Sequence, residues 1–252
     1  MKKYRLTEET IEHYGVTLHR IQALTDDLFH VAKGDLGGWI ESEDNLSQDG
    51  DCWVYDNAKV WDNAVVSDDA EVRGEAEISG NARVYECACI YGDAEVYGSA
   101  EVFDYAVIRD NARVCDVARV HGEAHVYNDA TICEDAEVYG SAEVFDRARI
   151  SGSAVVDDSR VYERAEISGG EVRQKSEIRG NARIYDAARV RTTTMYDNAV
   201  ITDEASVDGC EIHGNACVSG YADFSGMTIG GNVMLNERSI IGTNYLSIKK
   251  NN

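Results

Sequence analysis

A six-residue period constrains this chain more than any other feature. From Val54 the sequence reads V-Y-D-N-A-K, V-W-D-N-A-V, V-S-D-D-A-E, V-R-G-E-A-E, I-S-G-N-A-R, and it continues without a slip to Val155, 17 hexads in all. Position 1 is Val or Ile throughout, position 3 is Gly, Asp, Asn or Glu, and position 5 is always Ala. Two earlier hexads, 42–47 and 48–53, keep the phase but not the residue at position 1. Along an extended chain, alternate side chains point to opposite faces. Ala at position 5 and the Val or Ile that follows therefore share one face, the core, while positions 6 and 2 face solvent. Positions 3 and 4 hold residues that tolerate left-handed backbone and close a tight corner. A helix needs a period near 3.6, which the chain never shows. The reading is an all-β chain, a parallel β-helix of stacked coils.

Past Val156 the repeat loses one residue at five places: 156–160, 167–171, 190–194, 207–211 and 224–228. With three hexads to a coil, four of the five losses fall on one edge, which points to a three-sided coil. Residues 1–41 lack the repeat, and 4–6 and 16–24 read as short strands with Gly15 in a turn between them. A solenoid exposes a strand edge and its core at each end. Residues 1–41 are therefore expected to form a small N-terminal β cap, 42–240 the β-helix, and 241–252 a C-terminal cap or tail. Met234, Ile240 and Leu246 fall on outward positions, under the tail or as a contact surface.

The I/V-x-[G/D]-[N/D]-A-x hexad resembles the left-handed parallel β-helix of hexapeptide-repeat proteins, a superfamily that includes many acyltransferases. More narrowly, L-H-R-I-Q-A-L at 18–24, G-D-L-G-G-W-I-E at 34–41 and N-L-S-Q-D-G at 45–50 resemble the leader of YdcK-like β-helix proteins of bacterial and phage type. The likeness extends over nearly the whole chain. It implies the left-handed, three-sided form. It also implies an activity, acyl transfer, in which a histidine at a subunit boundary is the general base and coenzyme A lies along the groove between prisms. His121 and His125 are the positions on which that role would fall. The hexad is specific for fold far more than for activity, because one scaffold hosts many functions.

Charge supplies the competing expectation. The formal net charge is −22, and residues 42–155 hold eight Lys and Arg against 25 Asp and Glu, whereas 156–252 hold 11 against 14. Such a field repels nucleic acid and anionic membrane and attracts a protein with a basic surface. The corner carboxylates Asp68, Asp69, Asp104, Asp110, Glu134 and Asp135 are the candidate contacts. Tyr85, Tyr91, Phe103, Tyr127 and Tyr139 stand on outward columns, where coils stacked about 4.8 Å apart would build a flat aromatic docking face for a partner or a second copy of the chain.

Metal and cofactor are not expected. H-G-E-A-H at 121–125 lies across a corner, and the C-x-C of Cys87 and Cys89 has no second pair to complete a zinc site. Cys115 and Cys133 stand one coil apart on outward positions and read as surface thiols. Seven cysteines without paired spacing point to a reducing compartment, and no run of 18 apolar residues is present, so a cytoplasmic chain is expected. The functional expectation is a non-enzymatic acidic β-helix, a protein-interaction or structural module, with mimicry of nucleic-acid charge as a special case. The alternatives are a coenzyme A-dependent acyltransferase and a self-assembling structural element.

Overall fold

The computed structural model describes residues 2–26 and 30–235 and the backbone of Ile240–Ile241. The chain is all-β, and among the described residues helix is confined to one 3-10 turn, Glu43–Asn45. It divides into two compact units, Met1–Asn128 and Asp129–Asn252.

The first unit opens with a hairpin of β1 (Tyr4–His13) and β2 (Val16–Ala23), joined by Tyr14 and Gly15 at φ 48° and 82°. Two consecutive left-handed residues give the two-residue turn whose twist matches that of its strands. β2 pairs antiparallel with β3 (Leu36–Ile40), and β3 pairs in parallel with Lys59–Val60, so β3 is the junction with the coils. From Trp53 onward, two-residue strands recur and each pairs in parallel with the strand 18 residues ahead. One ladder runs through Val54, Val72, Ile90, Ile108 and Val126. The second runs through Val60, Ile78, Val96 and Val114, and the third through Val66, Val84, Val102 and Val120. Partners are thus three hexads apart.

The inward columns are those the sequence predicts: Val60, Val84 and Ala112 have no accessible surface. Burying each position-1 side chain contributes roughly 1.5–3 kcal/mol before the entropy of ordering is subtracted. The first, degenerate coil has a different anchor. Lys3 is buried, and its ammonium donates to the carbonyls of Gly50 at 3.1 Å and Cys52 at 2.9 Å and to Cys52 Sγ at 3.1 Å. The Tyr4 hydroxyl donates to Leu46 O at 2.7 Å. Carbonyls of the first coil are satisfied in this way.

In the second unit the ladder through Val144, Val161, Ile178, Met195, Ile212 and Ile229 advances by 17 residues, because each coil has a shortened corner. Along one edge the Ala column gives way to Ser159, Ser176, Thr193 and Cys210, all buried, and the corners of Ser159, Thr193 and Cys210 are shortened ones. Each hydroxyl donates to a carbonyl of its own corner, Ser159 to Asp157 O at 2.8 Å, Ser176 to Arg173 O at 2.8 Å and Thr193 to Arg191 O at 2.7 Å. Each then accepts the next coil's backbone N–H, at 3.2 Å in all three cases. The hydroxyl thus links a carbonyl of its own corner to a peptide N–H of the next coil. Thr193→Val keeps shape and branching but removes both bonds, and is expected to cost about 1–3 kcal/mol. Urea unfolding checks it: the midpoint should fall with the slope unchanged. Met234 is exposed, as its outward position requires. The side chains of Ile240 and Leu246, and the tail after Ile241, lie outside the described residues.

Candidate functional site

The corner carboxylates fall into two sets. Position-3 residues sit in left-handed backbone, with φ 57° at Asp68 and Asp104, 60° at Asp110 and 62° at Glu134. Each reaches along the stack to the backbone N–H of the following coil. Asp68 accepts from Glu86 N at 3.3 Å, Asp104 from Gly122 N at 3.0 Å, Asp110 from Asn128 N at 3.2 Å and Glu134 from Gly152 N at 2.6 Å. The acid side chain thereby offsets the cost of a non-glycine residue at positive φ. The Gly122 N–H and the neighbouring Glu86 carboxyl hold the Asp104 carboxyl below the usual carboxylate range. Position-4 residues differ. Asp69 accepts from Asp51 N at 3.1 Å, but Asp93, Glu123 and Asp135 are exposed and their carboxylates have no hydrogen bond among the described residues.

The predicted aromatic columns form, but lie flat and half-buried. The Tyr85 and Phe103 rings stack at 4.9 Å and 5°, and Phe103 and His121 at 4.6 Å and 3°. Tyr91 is half-buried on the neighbouring ladder. Elsewhere an arginine covers the ring and an acid holds the arginine. Arg73 lies 4.2 Å over Tyr55 and 2.6 Å from Glu71, and Arg109 lies 4.1 Å over Tyr127 and 2.8 Å from Asp110. In the second unit, Arg179 lies 4.5 Å over Tyr196 and 3.2 Å from Glu177. Arg173 lies 6.0 Å from Tyr139, whose hydroxyl pKa burial pushes up. Such neighbours on adjacent strands stabilise the ladder by about 0.2–1 kcal/mol per pair.

His121 and His125 leave from different ladders, since His121 follows the strand Arg119–Val120 and His125 opens the strand His125–Val126. They do not form one site. His121 Nδ1 is 3.6 Å from Asp104 Oδ2, an acid partner one coil back that the linear sequence does not reveal. The cysteines require a correction. Cys115 and Cys133 are buried rather than surface thiols, because Tyr97 lies beside the first and the Arg149 guanidinium is 3.1 Å from the second.

Sequence reasoning missed a recess at the hairpin tip. Ile11, Val16, Leu18, Trp39 and Trp61 pack together and bring the hairpin against the coil. The His13 ring meets Trp61 edge-on at 4.8 Å, and its Nε2 is 3.2 Å from Glu77. Beside this contact Tyr14, Trp61, Glu77, Ser79, Glu95 and Tyr97 enclose about 220 Å³. Tyr14, 83 % exposed, is the most accessible large apolar side chain among the described residues. Its place in a turn is legible from Gly15, but its proximity to Trp61 is a tertiary fact. A larger recess of about 440 Å³ in the second unit uses Asp186 and Asp203. Both carboxylates accept backbone N–H groups of the next coil.

No protein-family model matches the chain. A segment of 68 residues is 40 % identical to "Uncharacterized acetyltransferase YdcK" of Escherichia coli (strain K12), covering 24 % of this chain and 21 % of that protein. The chain therefore matches about a fifth of that relative's length. The hexad columns, the parallel β-solenoid built on them and this local likeness together fit a hexapeptide-repeat family.

Proposed function

We propose that the chain is a protein-interaction module whose partner presents a basic surface to the first unit. Carboxylates that the fold itself does not use carry this reading. The first unit holds 26 Asp and Glu against 11 Lys and Arg. Position-3 acids are committed to the backbone and many wall acids to arginines, while Asp93 and Glu123 stand exposed and unengaged among the described residues. In this reading residues 1–41 cap the coil of 42–240, supported by the Lys3 and Tyr4 bonds to carbonyls of the first coil. A reducing compartment, the cytoplasm, is part of the same proposal. Among the described residues no helix is long and apolar enough to cross a membrane.

Capture from a lysate of the native host at about 50 mM and about 300 mM salt tests the reading, since exposed pairs are screened over about 10 Å at 0.1 M. A defined protein with a basic surface should be retained at the lower salt and released at the higher. Retention of nothing, or of acidic and basic proteins alike, contradicts it. Recovery of the chain alone, with a doubled mass in light scattering, would favour self-assembly.

The contact of His121 with Asp104, together with the acetyltransferase in the relative's name, favours a second reading, acetyl transfer. An imidazole oriented by a carboxylate is the arrangement of a general base. In our reading the surroundings in this unit do not favour coenzyme A. Its phosphates need cations, and Arg83 and Arg119, which open strands of this ladder, both lean on the Glu101 carboxylate at 3.3 and 3.5 Å. Acetyl-coenzyme A should leave the melting temperature unchanged at millimolar concentration. A saturable rise that is lost in His121→Ala would establish the second reading instead.

A further inference from the structure

We infer that the recess at the hairpin tip receives an arginine side chain of a protein partner. The inference rests on the interaction-module reading and specifies what part of the partner is recognised. Its basis is a pattern the protein repeats along its own walls. Tyr55 with Glu71 is completed by Arg73, Tyr127 with Asp110 by Arg109, and Tyr196 with Glu177 by Arg179. Each triad places a planar guanidinium over a ring face while a carboxylate takes its N–H groups.

The recess has the ring and the acid but lacks the arginine. Tyr14 and Tyr97 are exposed, Trp61 forms part of the lining, and Glu77 and Glu95 line the same space. Among the described residues no guanidinium lies over the Tyr14, Trp61 or Tyr97 ring. Glu95 is held by Arg113 through both oxygens, at 3.2 and 3.4 Å. Glu77 differs, because its Oε1 meets both Lys59 Nζ and His13 Nε2 at 3.2 Å, while its Oε2 has no hydrogen bond among the described residues. One carboxylate oxygen is thus left to accept from an incoming donor.

Arginine suits this geometry better than lysine. A guanidinium stacks on an aromatic face and donates to a carboxylate in its own plane, whereas an ammonium is a compact, strongly hydrated point charge. The acidic surroundings favour either cation. The rings make the distinction between them.

The test follows the indole N–H signal of Trp61 in the ¹⁵N-labelled full chain, assigned with Trp61→Phe, during titration with acetyl-Gly-Arg-Gly-amide and its lysine counterpart. The Trp61 signal should shift saturably, with the arginine peptide bound about fivefold more tightly than the lysine peptide. Tyr14→Asn should weaken the arginine peptide by about fivefold while keeping the hairpin, because Asn-Gly is a preferred pair for this turn. Tyr97→Leu, on the coil instead of the hairpin, should weaken it in the same direction. Equal binding of the two peptides, or no effect of Tyr14→Asn and Tyr97→Leu, overturns the inference. If Trp61 stays still while backbone signals near Asp93 and Glu123 shift, the inference falls and the acidic-face reading survives. If no signal shifts with either peptide, both fall.

Discussion

Ala112→Glu should abolish soluble, folded protein. Ala112 has no accessible surface and stands in the inward column, on the same face as the buried Val114 that follows it. The coil interior is narrow because every position 5 in 54–155 is Ala. A glutamate there has too much volume, costing about 1–3 kcal/mol, and an unpaired buried carboxylate adds several more. A domain of ordinary stability has only about 5–15 kcal/mol to lose. Ladders transmit the damage, since Arg113–Val114 pairs with Glu95–Val96 in the preceding coil. Soluble yield and far-UV circular dichroism are the measurements. A soluble chain with an unchanged β spectrum would mean that Ala112 does not face the interior.

The double reversal Asp68→Lys with Asp110→Lys should destabilise the first unit by about 2–4 kcal/mol, since each substitution removes a charge-assisted acceptor. Viewed from the linear sequence, these corners lie outside the core and look free to change. In the structure they accept Glu86 N–H and Asn128 N–H. Lysine at φ 57° or 60° keeps the left-handed strain and offers no acceptor. Asp68→Gly with Asp110→Gly removes the same bonds but also relieves the strain, so it should be markedly milder. Thermal unfolding orders the three proteins. Equal melting temperatures for the wild type and the lysine double variant would show that the corner acids serve only the surface.

The sequence carries the solenoid because its cause is local. Val or Ile at position 1 and Ala at position 5 can face only one way in an extended chain, and Val60, Val84 and Ala112 obey. The shortened corners were legible as missing residues, and the advance of 17 from Val144 to Val161 to Ile178 follows from them. Their chemistry was not legible. Ser159, Ser176 and Thr193 look like lapses in an alanine column until the next coil's N–H groups are placed beside them. The same limit applies to the site. Asp68, Asp104 and Asp110 look like surface charge, and only stacking shows them bound to the coil ahead. His121 and Asp104 are 17 residues apart and meet because partners recur every 18. Lys3 reaches Cys52, and Tyr14 lies near Trp61, through hairpin packing that no period encodes.

The central claim is that carboxylates not used by the fold are those a partner meets. It is tested most directly by neutralising Asp93 and Glu123 together, as Asp93→Asn with Glu123→Gln, and measuring affinity for the basic protein captured at low salt. Both side chains are exposed, so stability should change by less than about 0.5 kcal/mol. Affinity at about 50 mM salt should fall roughly fivefold, at about 0.5 kcal/mol for each lost exposed pair, and the difference should close as salt is raised. Affinity unchanged in the double variant, with the fold intact, would contradict the claim.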